Sequence, residues 1–366
     1  MIVKSVELVN FRNYKELKIQ LDKEVNILYG DNAQGKTNLI ESIYVSGTSK
    51  SHRSSRDKEM INFECEESHI KTIVEKNGSD FRIDIHLKKN KPKGIAINGI
   101  PIKKAGDLFG ILNIVMFSPE DLNIVKNGPS ERRRFMDIEL CQLDKIYLYN
   151  LTNYNKTLDQ RNHLLKELGY REDLKPTLQI WDEQLINYGM KIIERRERFI
   201  EDISSYVRDI HYDISGKKED LIIKYEPNIT RDVYEKTIEE NKEKDIKLGQ
   251  TTAGPHRDDI SFNIGDIDIR KFGSQGQQRT CALSLKLSEI EIVRRIVDDK
   301  PVLLLDDVLS ELDSNRQNFL LKRISNIQTL ITCTGLDEFV KNRFNVNKIF
   351  RVIGGKIDEI DKVELI

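Results

Sequence analysis

The run Gly30-Asp31-Asn32-Ala33-Gln34-Gly35-Lys36-Thr37 fits the pattern G-x-x-x-x-G-K-[ST]. Glycines at its two ends let a loop curl until successive backbone N–H groups face a phosphate chain, and a following helix adds its positive N-terminus. In that arrangement Lys36 neutralises the β and γ phosphates of a nucleotide and the Thr37 hydroxyl ligates Mg2+. A loop of this kind needs a carboxylate at the end of a neighbouring strand to hold the metal. Val302-Leu-Leu-Leu305 followed by Asp306 and Asp307 supplies a short apolar strand with acids at its tip. Asp306 is expected to hold Mg2+ directly or through water, and Asp307 to orient or deprotonate an attacking water. A third element, Gly273-Ser274-Gln-Gly276-Gln277-Gln278-Arg279, precedes an apolar stripe at helical spacing. Ser and Gly at a helix start make a second phosphate-seeking end; read alone, they are an ordinary Ser N-cap beside a flexible Gly.

These residues need strands and helices to place them. Val3, Val6, Leu8 and Phe11, then Leu17, Ile19 and Leu21, alternate as paired strands do, and the VNILYG run leads into Gly30 as a buried strand. Beyond the loop, Leu39, Ile40, Ile43 and Tyr44 recur at helical spacing. Alternation between residues 69 and 102, broken at NGSD, NKPKG and INGIP, predicts an antiparallel meander, and ILNIVMF at 111–117 a short buried strand. From there to about 250 the chain turns helical and charged: 28 of the 60 residues from Lys191 to Gln250 are Asp, Glu, Lys or Arg. After Gly254-Pro255 strand-like alternation resumes through Ile260, Phe262 and Ile264. The expected fold is therefore α/β, interrupted by a helical arm.

Composition narrows the setting. The 366 residues carry 59 Lys plus Arg against 60 Asp plus Glu, so nucleic acid would have to bind through a local patch and not a bulk basic field. Cys65, Cys141, Cys281 and Cys333 show no zinc or disulfide spacing, which fits a reducing compartment. Charged residues among the first dozen leave no secretory apolar core, and no apolar run reaches membrane-spanning length. A soluble, cytoplasmic protein with no membrane partner is expected.

The order of phosphate loop, distant Ser-x-Gly-Gln helix start and acid-ended strand resembles an ABC-type ATPase head. In detail the chain is similar to the bacterial recombination mediators of the SMC and ABC-type head family. The resemblance is carried by NFRNY at 10–14, GDNAQGKTNLIESIY at 30–44, FSPEDL at 117–122, Pro129 to Asp137, TTAGPHRDD at 251–259, GSQGQQR at 273–279 and LLLDDVLSELD at 303–313. It implies a head of mixed sheet with a P-loop core and an antiparallel meander, formed by residues 1–118 and 250–366, and an inserted helical arm at 119–249. It also implies ATP and Mg2+ as cofactors, a nucleotide contacted by Gly30 through Asn38 and approached by Arg12 and Asn13, and a head-to-head homodimer. In that dimer Ser274, Gly276 and Gln277 of one subunit cap the γ-phosphate bound by the other, with Asp313 in the loop beside it. The implied activity is slow ATP turnover, with Lys36 and Asp307 catalytic. The implied task is binding duplex or gapped DNA in recombinational repair and replication-fork maintenance, together with RecR and RecO, to help load RecA. The chain departs from transporter heads at Ser118-Pro119-Glu120, where those carry a metal-contacting Gln, and at Thr334, where many heads carry a switch His.

Arg132, Arg133 and Arg134 form a compact basic run that serves either DNA phosphates or internal ion pairs with Glu131 or Asp137. His256 beside Asp258 belongs to a capped turn, having no nucleophile at a useful spacing. Trp181, Tyr147, Tyr149, Tyr154 and Tyr188 follow helical spacing and are expected to pack instead of stacking on bases. Two rival functions remain open on the sequence: a transporter's nucleotide-binding subunit and a non-hydrolysing DNA-binding scaffold.

Overall fold

Strong alternation at the start of the chain produces the first sheet. In the computed structural model, which describes residues 1–54, 56–335 and 346–360, strand Ile2–Phe11 pairs antiparallel with Tyr14–Gln20 on one side and Glu67–Lys76 on the other. Ser79–Lys88, Gly94–Ile97 and Ile100–Pro101 complete six antiparallel strands. Two hairpins close at Asn77-Gly78 and Asn98-Gly99, where all four residues have positive φ, as a two-residue turn matched to strand twist requires.

Four strands of the second sheet are short apolar runs buried on both faces, as parallel strands covered on both sides must be. Its order is Lys356–Ile360, Val346–Ile353, Val25–Tyr29, Thr329–Cys333, Val302–Asp306 and Ile114–Phe117; only the first, an edge strand, runs antiparallel. Helix Lys36–Thr48 is buried on nearly every side, because one core joins Val6, Leu8 and Ile70 of the first sheet to Leu39 and Ile43 of the helix and Leu330 of the second. Its hydroxyls are satisfied internally: Ser46 Oγ lies 2.8 Å from Thr72 Oγ1 and donates to Ser42 O. At Gly47 a Cβ would stand 2.6 Å from Ile114 Cδ1 and 2.9 Å from Leu112 O, so the close passage of helix and strand requires glycine.

Contacts divide the chain into this unit, Met1–Asp121 with Glu289–Ile366, and a second unit, Leu122–Ser288. The second holds helices Pro129–Leu143, Lys145–Glu167 and Leu178–Ile214, the last long enough to run about 56 Å. Asp144 caps the middle helix through the N–H groups of Ile146 and Tyr147. The expected return to the head at residue 250 differs from the contact division, which falls at Ser288. The cause is a strand not anticipated in the charged stretch: Leu221–Glu226 pairs with Asp259–Ile264, tying the segment after Gly254 to the arm. Helix Gln275–Val297 contributes its first part to this unit and its last turns to the other.

Buried arginines knit the second unit. Arg161 donates to Asp182, Asp245 and Thr251. Arg196 donates to Tyr147 Oη, Pro255 O, Asp258 and Asp137, at 2.7 to 3.0 Å. Tyr147 and Tyr154 are buried, whereas Tyr149 stays exposed and meets Tyr188 edge to face. His256 lies in the Pro255–Arg257 turn with Nδ1 2.7 Å from Tyr154 Oη and Nε2 3.2 Å from Thr251 O. A neutral ring satisfies both contacts, Nε2–H donating to the carbonyl and Nδ1 accepting from the tyrosine. Burial first, then Arg257, Arg133 and Arg196, push its pKa down to about 4 against the pull of Thr251 O. Below pH 6.5 an unfolded histidine takes up a proton that the folded one refuses, so stability is lost as pH falls from 6.5 toward 4. Urea unfolding should register a loss on the order of 2 kcal/mol across that window. His256→Gln, which keeps one donor and one acceptor, should flatten that part of the profile.

Candidate nucleotide site

Loop Gly30 to Gly35 joins strand Val25–Tyr29 to helix Lys36–Thr48. Gly30 has φ +153°, and a Cβ there would fall 2.3 Å from Val352 O; Gly35 has φ +121° and would meet Asn13 at 2.8 Å. Both glycines are needed for the backbone to curl in this space. Asp31, Asn32 and Ala33 face solvent at the crest. Lys36 is 4% exposed and donates from Nζ to Gly30 O at 2.6 Å and Asp31 O at 2.9 Å, which holds its charge inside the curl of the loop.

Strand Val302–Asp306 is separated from the loop strand by Thr329–Cys333 alone, and this spacing carries Asp306 to the mouth of the loop. Thr37 Oγ1 lies 2.9 Å from Asp306 Oδ1, and Thr332 Oγ1 reaches the same oxygen at 2.8 Å. Burial pushes the Asp306 carboxyl above its usual range even though Thr332 and Thr37 donate to it; Asp307 adds to the rise and Arg53 opposes it. Asp307 has φ +52°, an uncommon conformation for a side-chain-bearing residue, and its N–H donates to Thr332 Oγ1 at 2.9 Å. The turn thus separates two successive acids, one held between hydroxyls and the other displaced from the strand. A hydroxyl–carboxylate pair beside a lysine-bearing loop is a donor set suited to Mg2+ and a triphosphate.

The sides of the loop are braced. Asn13 Nδ2 donates to Gln34 O at 2.8 Å, its Oδ1 accepts from Asn38 Nδ2 at 2.8 Å, and Tyr14 Oη donates to Gly35 O at 3.0 Å. Arg12 is held by protein partners: Glu41 accepts two of its bonds, and Ser54 Oγ and Glu59 O accept others. Burial alone would raise the Glu41 carboxyl, but Arg12 and Ser51 hold it below the usual carboxylate range. Asp313 caps helix Ser314–Arg323 through the N–H groups of Asn315 and Arg316.

The profile of the family described as RecF/RecN/SMC N terminal domain matches residues 2–356. A DNA replication and repair protein RecF from Agathobacter rectalis is 62% identical over 362 residues, 99% of this chain and 100% of the relative. The chain belongs to the RecF family. A RecF from Clostridium tetani is 45% identical over 368 residues, covering 98% of this chain and 100% of its own length. The solved recombination mediator RecF-ATP of the RecFOR pathway matches with a TM-score of 0.91 at 37% identity over 98% of each chain. An Smc head with an extended coiled coil from Pyrococcus furiosus shares the fold, with a TM-score of 0.57 at 16% identity over 100% of this chain and 97% of its own. These relatives do not favour the transporter alternative.

The remaining expected residues of this RecF-family chain lie in the second unit. Ser274 and Gln277 form a capping box: Gln277 N–H donates to Ser274 Oγ at 3.2 Å and Ser274 N–H to Gln277 Oε1 at 2.9 Å, with Gly276 between them. The basic run divides. Arg132 is 1% exposed, grips Asp259 through two nitrogens and donates to Ile124 O and Asn127 O, so the expected DNA contact is withdrawn for its buried side chain. Arg133 donates to Asp258 O and lines a cavity of about 140 Å3 with Tyr154, Arg196 and His256, while Arg134 is exposed. Sequence reasoning missed Thr332, which parallel register sets opposite Asp306. It also missed Arg53, donating to Asn38 Oδ1 at 3.1 Å, and the Gly354-Gly355 turn, whose N–H groups bind Gln34. The apolar run before Cys333 gave the only available signal, that of a buried neighbouring strand.

Ionised Asp306 costs stability at neutral pH, because a raised carboxylate pKa favours the fold only at low pH and works against it as pH rises. Asp306→Asn keeps the acceptor for Thr37 and Thr332 and removes that charge. Its melting temperature without nucleotide should rise by about 2–4 °C, and a further rise on adding ATP with Mg2+ should be seen in the wild type and not in the variant. Differential scanning calorimetry in the two conditions checks both halves.

Proposed function

We propose that this chain is an ATP-dependent DNA-binding protein of recombinational repair and replication-fork maintenance, with weak ATPase activity that serves as a switch. The observation that carries the reading is the 2.9 Å contact of Thr37 with Asp306 beside Lys36. The naming of the relatives as DNA replication and repair proteins and the ATP in a solved one support it. Thr37 and Asp306 would hold Mg2+, which supplies charge neutralisation on the triphosphate. Lys36 would swing from the Gly30 and Asp31 carbonyls to the phosphates, a move that keeps its ammonium hydrogen-bonded throughout. Asp307, set apart from Asp306 by its turn, would orient or deprotonate the attacking water.

In this reading residues 1–118 and 250–366 act as the head and 119–249 as the arm. Two chains close head to head on ATP, with Ser274, Gly276 and Gln277 of each reaching the partner's γ-phosphate and Asp313 in the loop alongside. The Ser274 hydroxyl accepts from Gln277 N–H, so its own proton is available for a phosphate oxygen. Asn13 and Asn38 line the loop; Arg12 contributes through Glu41 by stiffening the helix behind it. The closed pair binds duplex or gapped DNA, with Arg134 as the exposed arginine of the basic run, and hydrolysis releases it. RecR and RecO are the partners, RecA loading is the outcome, and the cytoplasm is the setting.

Sedimentation velocity tests the clamp. Asp307→Asn should be monomeric alone and dimeric with ATP and Mg2+, turning ATP over at least about 100-fold more slowly than wild type. Ser274→Arg should bind ATP as a monomer and fail to dimerise. Dimers of equal strength in both variants would remove the Ser274 helix start from the interface, and unchanged turnover in Asp307→Asn would remove that residue from catalysis.

A further inference from the structure

Gln277 is held from a direction that the capping box does not account for. Its Oε1 accepts Ser274 N–H, while its Nε2 donates to Glu219 Oε1 at 2.9 Å. Glu219 stands in the short segment between the long helix Leu178–Ile214 and strand Leu221–Glu226, where Gly216 and Lys217 both turn through positive φ. Its backbone N–H donates to Ser215 Oγ at 3.2 Å, and its second carboxylate oxygen lies 3.1 Å from His211 Nε2. His211 is fully buried in the last turns of the long helix, and its Nδ1 lies 3.3 Å from Ser284 Oγ. Ser284 sits on the helix that Ser274 caps, and donates back to Thr280 O, whose own hydroxyl donates to Gly276 O. A closed circuit therefore runs from the N-terminus of this helix through Gln277, Glu219, His211 and Ser284 to the same helix two turns on.

We propose that Glu219 is a positioning residue for the γ-phosphate-capping loop: it fixes the Gln277 amide, and through the reciprocal cap the direction of the Ser274 hydroxyl and the Gly276 backbone. The inference rests on the head-to-head dimer proposed above. A glutamine side chain has a terminal amide that otherwise rotates freely, and an amide bound at both ends is ordered before the partner arrives. Glu219 touches no nucleotide in this scheme. It sets the orientation of groups that do, and links them to the end of the arm's longest helix.

The test compares wild type, Glu219→Ala and Glu219→Gln, each full length, with a non-hydrolysable ATP analogue and Mg2+. The alanine variant should raise the dimer dissociation constant about tenfold, as expected for the loss of a charge-assisted hydrogen bond. Its monomer affinity for the analogue should stay within about twofold, and amide exchange across Gly273–Arg279 should quicken. The glutamine variant retains an oxygen for Gln277 and should dimerise within about threefold of wild type. A wild type that stays monomeric overturns the function on which the inference rests. A wild type that dimerises beside a Glu219→Ala that does so equally, with unchanged exchange, overturns the inference alone. So does a loss in Glu219→Ala that tracks a fall in melting temperature and that the glutamine variant shares.

Discussion

The contact between Thr37 and Asp306 joins residues 269 positions apart, and much of the first unit exists to make it possible. Thr37 lies in the first turn of a helix that must be sheathed by two sheets before its N-terminal end can be fixed. Asp306 ends a strand that becomes the loop's near neighbour only after the chain has returned from the arm. The parallel order Val25–Tyr29, Thr329–Cys333, Val302–Asp306 sets the spacing, and the Asp306–Thr332 register places a hydroxyl between the acids. Helix Lys36–Thr48 passes so close to Ile114 and Leu112 that any side chain at Gly47 would force it away. Rigid packing on all sides is what lets a single hydroxyl and a single carboxylate meet at 2.9 Å.

The second unit solves a different problem with the same physics. Its helices bury Arg132, Arg161 and Arg196, each of which would be costly without partners, and each is matched by carboxylates from distant segments. Asp258 and Asp259 come from the same short stretch and bind different arginines, so TTAGPHRDD acts as a staple across the arm. Basic runs in such a fold need not face outward. Arg132 and Arg134, two positions apart on one helix, differ in burial because the helix turns about 200° between them.

The local elements that carry the candidate site were legible because they are written in contiguous residues. The glycine-bounded loop between strand and helix, the acid-ended strand, the alternating meander and the helix after Ser274 each depend on local spacing, and the structure has these elements where the pattern predicts. What was not legible depends on pairing between segments. Strand Leu221–Glu226 is flanked by charge and gains its identity only from Asp259–Ile264. Thr332 becomes part of the site through register, and Arg53 through a turn beyond the loop helix. The Gly354-Gly355 turn supports Gln34 across some 320 residues, a relation that no periodicity encodes.

Lys36 and Asp306 show how the loop and the strand tip hold opposite charges close together. The lysine is bound to carbonyls that satisfy its hydrogen bonds without cancelling its charge. The aspartate is bound to hydroxyls that do the same for the opposite sign, and burial holds its pKa up. Both groups lie in a partly desolvated place, where a counter-charge is worth more than it would be in water. A polyanion carrying its cation would relieve both at once. The differential stabilisation that results is the free energy available to bias any rearrangement coupled to the loop.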